Sequence, residues 1–169
     1  MDKTKFVIEE DNKTLTMERT FQAPQHKLWK AYTEKAMFEQ WFAPEGWEVK
    51  TNKFDFVNGG ENIYVMTCMD KNQGDWFGKT SSGKMVFNNI NPESSFSYTD
   101  YFLDDDGNVN ESLPASDSSI ELEALTDDST LLRVTTSYQT EAQLKQVIEM
   151  GMKEGYAMTL DKLEKLITA

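Results

Sequence analysis

Residues 141–169 read EAQLKQVIEMGMKEGYAMTLDKLEKLITA, and their apolar side chains recur with the period of an α-helix. Such a stripe usually packs against the core of a protein. The sequence therefore predicts one C-terminal helix of about 25 residues that covers a sheet. Its inner face would hold Leu144, Ile148, Gly151, Met152, Gly155, Thr159, Leu163 and Leu166.

Two glycines, Gly151 and Gly155, place the smallest residues in the middle of that stripe. Each costs about 1 kcal/mol relative to alanine inside a helix, so their position on the inner face needs a reason. One reason is close packing of the helix on a sheet. The other is a dent over a cavity, and the sequence leaves both open.

The chain before this helix has the two-residue period of β-strands. Leu122, for example, lies between Glu121 and Glu123, and Asn58-Gly59 is a strong hairpin-turn signal. Short polar connections favour antiparallel pairing of neighbouring strands. The pattern predicts about seven strands, at residues 14–21, 47–56, 61–69, 83–91, 95–103, 118–125 and 130–138.

Two short helices follow the first strand, in residues 28–47, LWKAYTEKAMFEQWFAPEGW. Trp29 and Tyr32 share a face of the first helix, and Phe38 and Trp41 share a face of the second. Trp47 begins the next strand. These elements predict an α+β fold in one domain, residues 1–169, with residues 1–12 as a loose N-terminal segment.

Composition excludes several classes of function. The chain has 29 acidic and 17 basic residues, a net charge of −12 that repels nucleic acid and anionic membranes. No apolar run approaches the roughly 18 residues that span a bilayer, and the N-terminus does not resemble a secretion signal. We therefore expect a cytoplasmic protein, as a monomer or weak dimer, without a membrane span.

Residues that could support catalysis or bind a metal are few. The single histidine, His26, has no second ligand nearby and is expected at the surface. The single cysteine, Cys68, lies in an apolar strand and is expected in the core. The loop after Asp104 has the alternating oxygens of a calcium loop but lacks its glycine and its bidentate glutamate. We predict no catalytic set, no metal site and no cofactor.

The order of these elements resembles the helix-grip fold of the START, polyketide-cyclase and birch-pollen-allergen superfamily (SRPBCC). Within it, the chain is most similar to homologues of the activator of the heat-shock-protein-90 ATPase. At Tyr156 that family commonly has tryptophan. The resemblance is found in ERTFQAPQHKLWKAYTE, FEQWFAP, FDFVNGGENIYVMTCMD, LLRVTTSYQ and EMGMKEGYAMTLDKLEKL, which together span nearly the whole chain.

The resemblance implies a cavity between the long helix and the sheet that holds an apolar or amphipathic small molecule. In the helix pair, Trp29 and Trp41 would form one of its walls. The alternative for every candidate residue is ordinary packing in the core. The candidates for ligand binding are Trp29, Phe38, Trp41, Tyr64, Met66, Met85, Phe87, Phe96, Tyr98, Ile148, Gly151, Met152, Gly155 and Thr159.

Three functions from different classes follow from the resemblance. We favour a binding module for a small apolar or amphipathic molecule, without enzymatic activity. A second hypothesis is a protein that contacts a chaperone, as the family name suggests. The third is an enzyme of the cyclase or hydratase type, for which the candidate polar groups are Tyr64, Tyr98, Glu61 and Arg133.

Overall fold

The computed structural model describes residues 3–169, which form one sheet and four α-helices. The first half of the described chain contains β1 (Lys5–Ile8), β2 (Thr14–Phe21), α1 (Gln25–Thr33), α2 (Lys35–Trp41), β3 (Trp47–Phe54), β4 (Glu61–Cys68) and a 3₁₀ segment (Lys71–Trp76). The second half contains β5 (Thr80–Asn91), β6 (Ser95–Leu103), β7 (Ser116–Thr126), β8 (Ser129–Ser137), α3 (Glu141–Glu149) and α4 (Met152–Thr168).

All strands pair antiparallel in one open sheet, in the order β1-β2-β8-β7-β6-β5-β4-β3. Successive strands from β3 to β8 are neighbours, which is the predicted meander. One face of the sheet packs on the helices, and α4 contributes Leu160, Leu163 and Ile167 to the main core. This confirms the α+β helix-grip prediction, with eight strands rather than about seven. None of the helices in the described chain combines the length and the apolarity needed to cross a bilayer.

The additional strand, β1, lies in the segment predicted to be loose, and that prediction is wrong for residues 5–8. β1 pairs with β2 from Lys5 opposite Glu18 to Ile8 opposite Leu15. Phe6 packs against the core, which gives the short strand an apolar anchor. A short strand with one half-buried aromatic residue has too weak a periodicity to be recognised in the sequence.

The prediction of one continuous C-terminal helix is wrong, because the chain breaks between α3 and α4 at Met150 and Gly151. Gly151 has φ +91° and ψ 22°, the left-handed conformation that only glycine adopts without strain. Its amide donates to the carbonyl oxygen of Ile148, as at the end of a helix. Gly151 is therefore a helix terminator and not a helix-interior residue.

The aromatic residues of the helix pair belong to the core. Trp41 is fully buried, and its indole Nε1 donates to the carbonyl oxygen of Ala31 at 2.9 Å. Trp29 contacts Phe56 and Phe96 edge to face. Trp47 is the first residue of β3, as predicted. The structure also places Cys68 in the core and His26 at the surface, as expected.

A buried arginine joins the N-terminal part of the sheet to α4. The Arg19 side chain on β2 is 1% exposed, and its Nη2 lies 2.9 Å from Asp161 and 3.5 Å from Glu164. Its Nη1 donates to Thr4 Oγ1 at 3.2 Å. The guanidinium also stacks over the Phe21 ring, 5.2 Å from its centroid. These contacts hold the start of the chain, β2 and α4 together.

Candidate functional site

A cavity of about 280 Å³ lies beside the break between α3 and α4. The break supplies one wall, and β4, β6 and the segments flanking β7 and β8 supply the others. Because the chain leaves the helical path at Gly151, Met150 and Met152 are presented to this space. The lining residues are Tyr64, Asp100, Tyr101, Phe102, Pro114, Ser116, Tyr138, Val147, Met150, Gly151 and Met152.

The alternation of β6 brings a carboxyl group to this cavity. Phe96 and Tyr98 are buried on the face that packs on the helices, and Asp100 follows two residues later on the same face. Asp100 pairs with Met85 of β5 on one side and with Ser116 of β7 on the other. Asp100 and Ser116 are therefore neighbouring polar groups on the cavity wall.

Tyr64 reaches Asp100 by crossing over a glycine. On β4, Tyr64 pairs with Gly83 of β5, and a side chain at Gly83 would overlap the tyrosine ring. The ring lies across β5, and the hydroxyl donates to the Asp100 carboxylate, 2.9 Å from Oδ1 and 3.1 Å from Oδ2. Because Gly83 has no side chain, it leaves room for the Tyr64 ring to reach Asp100.

The environment of Asp100 changes its acidity. Burial raises the pKa of this carboxyl group to about 7, although the hydrogen bond from Tyr64 acts in the opposite direction. Asp100 is still partly accessible, through the cavity that it lines. Burial also raises the pKa of Tyr138, on the same cavity, to about 12. The site therefore combines a carboxyl group that titrates near neutral pH with neutral phenols.

Three further tyrosines do not line the cavity but interact with one another or with Asp100. The hydroxyls of Tyr32 and Tyr156 are 3.2 Å apart and share a hydrogen bond. Burial raises the pKa of Tyr98 and of Tyr156 well above that of a free tyrosine, and the nearby Asp100 adds to both shifts. These phenols remain protonated at physiological pH, so they act as hydrogen-bond donors and not as charges.

A second, much smaller void of about 10 Å³ lies deeper, among aromatic side chains of the helix pair and the sheet. It has room for about one water molecule. Asn62 is fully buried there, and its Oδ1 has no hydrogen-bond partner within the described chain. The residues around it are Tyr32, Phe38, Phe42, Asn62, Met85, Phe87, Phe96 and Tyr98.

The structure divides the predicted ligand-binding residues between these places. Tyr64, Gly151 and Met152 line the larger cavity. Phe38, Met85, Phe87, Phe96 and Tyr98 surround the small void. Contact of any of these residues with a ligand stays a prediction.

The other candidates line neither space. Trp29 and Met66 pack at the edge of the main core, and Ile148 packs on a separate cluster. Trp41 is enclosed by other core residues, so Trp29 and Trp41 do not form a wall of the 280 Å³ cavity. Thr159 is buried and donates to the Tyr156 carbonyl oxygen. A side chain at Gly155 would meet open space, so close packing on the sheet does not explain this glycine.

Sequence reasoning missed several lining residues, of which Asp100 is the most important. The signal was present, because the alternation of β6 puts Asp100 on the same face as Phe96 and Tyr98. Val147 and Met150 were missed because the helix break changes which residues face the sheet. Tyr138 was not named as a candidate although the predicted strand at residues 130–138 included it, and in the structure it lies one residue beyond β8.

The polar groups considered for an enzyme do not converge. Glu61 pairs with Lys53 and Lys84, and Arg133 pairs with Glu18 and Glu121, both outside the cavity. Within residues 3–169, no group of histidine, cysteine or acidic side chains is arranged to hold a metal ion. In the loop after Asp104, this carboxylate accepts the backbone amides of Asp106 and Asn108, as in a polar turn.

Comparison with solved structures identifies relatives of the same fold. Protein Ms6760 from Mycobacterium smegmatis has a TM-score of 0.85 and 27% identity, over 98% of this chain and 96% of that chain. A protein from Staphylococcus epidermidis has a TM-score of 0.80 and 28% identity, over 96% and 93% of the two chains. An AHSA1 protein from Silicibacter pomeroyi, 22% identical with a TM-score of 0.68 over 90% and 95%, shares the fold.

The sequence itself matches a known protein family. No curated protein matches the chain. Residues 22–168 match the family model described as "Activator of Hsp90 ATPase homolog 1-like protein". Since this match covers most of the chain, the protein belongs to the family of activator of Hsp90 ATPase homolog 1-like proteins, within the helix-grip superfamily.

Proposed function

We propose that the protein binds a small amphipathic molecule in the cavity beside the α3–α4 break. The observation that supports this most strongly is the cavity itself, about 280 Å³ in volume, with Asp100 on its wall. Ligand sites are usually mostly apolar and contain a few polar groups that orient the ligand. A volume near the lower end of the usual range indicates a small ligand.

The composition of the lining fits an amphipathic molecule. Val147, Met152 and Phe102 provide apolar surface, while Asp100 on β6 and Ser116 on the neighbouring β7 provide polar groups. An apolar ligand body would pack against the first set, and a polar group would reach the second. A purely apolar molecule would leave the Asp100 carboxyl group without a new partner, which is unfavourable in a buried site.

The helix break supplies an adaptable entrance. Met150 lines the cavity and is 58% exposed, so it lies at the boundary between cavity and solvent. Methionine side chains are flexible and fit ligands of different shapes. Gly151 adds a position where the backbone itself borders the cavity.

Native mass spectrometry of protein purified from its own host tests this proposal. We expect a reproducible additional mass that is released on denaturation. The variant Met152→Trp fills the cavity and should lose this mass, whereas Met158→Trp, at an exposed position on α4, should retain it. An additional mass that both variants retain would show that the ligand binds elsewhere. The proposal would be rejected if wild-type protein carried no additional mass and also bound none of 4-phenylbutylamine, 4-phenylbutanol and 4-phenylbutyrate.

A chaperone contact is the second candidate function, and family membership is the observation that favours it. The direct test is the ATPase rate of heat-shock protein 90 from the same host, measured with and without this protein. A saturable increase in rate would support an activator. An unchanged rate at concentrations well above that of the chaperone would reject this function.

A further inference from the structure

We infer that the cavity prefers molecules with a positively charged nitrogen, and that this nitrogen binds to the Asp100 carboxylate. This inference rests on the proposed function. The preferred ligand class is a small amine on an apolar or aromatic body.

Asp100 gives the cavity a negative character. Among residues 3–169, it is the only charged side chain that lines the cavity, and none of the ion pairs of the described chain includes it. Burying a carboxylate without a cation is costly. A ligand that brings its own positive charge would therefore interact more strongly than a neutral one of the same shape.

The carboxylate also has acceptor capacity to spare. Its two oxygens offer about four lone pairs, and the Tyr64 hydroxyl has only one hydrogen to donate. The remaining lone pairs are available to a ligand that donates hydrogen bonds. An ammonium group carries up to three such donors, and charge-assisted hydrogen bonds are about twice as strong as neutral ones.

Aromatic rings add a second attraction for a cation. Tyr64, Tyr101, Phe102 and Tyr138 all line the cavity together with Asp100. The faces of such rings attract cations, and this attraction increases where water is excluded. A carboxylate combined with several aromatic rings is well suited to bind an amine.

Anionic ligands are disfavoured by the same features. The carboxylate of a fatty acid would lie near Asp100, where two like charges raise the cost of ionising either group. The net charge of −12 repels anions from the whole surface and raises the local concentration of cations.

The ionisation of Asp100 makes this preference dependent on pH. The titratable groups that interact electrostatically with Asp100 are the phenols of Tyr64 from β4, Tyr98 from β6, Tyr138 after β8 and Tyr156 from α4, whose pKa values its charge raises. Burial raises the pKa of each of these phenols, so none of them charges near neutral pH. Asp100, with a pKa of about 7, is then the group whose ionisation controls binding of an amine.

Three compounds that share one apolar body test the inference: 4-phenylbutylamine, 4-phenylbutanol and 4-phenylbutyrate. Their affinities would be measured by ligand-observed NMR or calorimetry at pH 8. We expect the amine to bind about tenfold or more tightly than either other compound, corresponding to one charge-assisted contact. The amine affinity should fall as the pH drops below 7 and level off near the affinity of the Asp100→Asn variant, because only the ionised carboxylate attracts the charge.

The variant Asp100→Asn keeps the shape of the site and removes the charge. It should reduce amine affinity about tenfold or more and leave alcohol affinity within about twofold. Asp117→Asn, on the exposed face of β7, makes the same change in net charge and should leave both affinities unaltered. Circular dichroism would confirm that both variants are folded.

The outcomes separate this inference from the proposed function. If the alcohol binds as tightly as the amine, and Asp100→Asn changes neither, the charge preference is overturned while the binding cavity stands. Tightest binding of 4-phenylbutyrate would also overturn the preference. If none of the three compounds binds wild type, the inference fails, and the proposed function then depends on the mass found in protein from the host.

Discussion

The Tyr64 hydroxyl and the Asp100 carboxylate lie 2.9 Å apart, although a whole strand separates β4 from β6. The contact exists because the tyrosine ring crosses β5 above Gly83, where any side chain would overlap it. This arrangement places a hydrogen-bonded carboxyl group on the wall of a cavity, and several properties of the protein should depend on it.

Removing the Tyr64 hydroxyl should make Asp100 a weaker acid. The hydroxyl donates to the carboxylate and so stabilises its ionised form, which lowers the Asp100 pKa. In Tyr64→Phe we expect the pKa to rise above its wild-type value of about 7. NMR titration of the labelled Asp100 carboxyl carbon would measure it. Tyr138→Phe is the control, and an equal rise in both variants would contradict a specific role for Tyr64.

Replacing Asp100 by asparagine should stabilise the protein at alkaline pH. The folded-state pKa of about 7 exceeds the unfolded value of about 3.9, so the folded protein retains the proton between these values. Protonated Asp100 therefore makes its full contribution to stability below pH 4, and this contribution is lost as the pH rises through 7. At pH 8 we expect Asp100→Asn to gain up to about 4 kcal/mol, and less where water reaches the carboxylate.

Urea denaturation of both proteins at pH 4.5 and pH 8 measures this difference. The gain should be small at the lower pH and large at the higher one. Asp105→Asn, in the exposed loop after β6, is the control, since surface substitutions of this kind usually change stability by about 0.5 kcal/mol or less. An Asp100→Asn variant that is equally stable or less stable than wild type at pH 8 would contradict the raised pKa.

The two glycines of the C-terminal region should respond to alanine with opposite signs. Gly151 has φ +91°, a conformation that costs an alanine about 1–2 kcal/mol. Gly155 lies within α4, and a side chain there meets open space, so alanine should gain about 0.5–1 kcal/mol. Urea denaturation of Gly151→Ala and Gly155→Ala provides the comparison. A similar effect at both positions would indicate a continuous helix instead of a break.

The two paired arginines should differ in their importance for stability. Arg19 is 1% exposed and forms ion pairs with two acidic residues of α4, so Arg19→Met should cost about 2–3 kcal/mol. Arg133 is 37% exposed in its pairs with Glu18 and Glu121, and Arg133→Met should cost less than about 1 kcal/mol. Thermal unfolding would rank the two variants. A larger loss for Arg133→Met would be inconsistent with Arg19 as the link between β2 and α4.

The sequence predicts the sheet well because its signals are local. Leu122 and its acidic neighbours show the alternation of β7 directly, and Asn58-Gly59 marks the turn between β3 and β4. The break at Gly151 was not predicted, since a glycine in an apolar stripe is compatible with a helix interior and with a helix end alike. Only the left-handed conformation of the residue distinguishes them.

The candidate site was harder to predict, because it depends on contacts between strands. The alternation of β6 is enough to put Asp100 on the inner face. Its contact with Tyr64, however, requires the pairing of Tyr64 with Gly83 and of Met85 with Asp100. Such register depends on turns and bulges along three strands. The prediction that the aromatic residues around Trp41 form a wall of the cavity failed for another reason. Aromatic residues of a core and of a cavity wall have the same spacing in the sequence.

Methionine-methyl NMR tests most directly whether a small molecule binds in the cavity. Met150 and Met152 line it, whereas Met69 and Met158 are exposed elsewhere and report non-specific binding. Titration with 4-phenylbutylamine and 4-phenylbutanol should produce saturable shifts of the Met150 and Met152 methyl signals and leave the other two unchanged. Shifts that are largest at Met69 or Met158, or that fail to saturate, would contradict a binding site in this cavity.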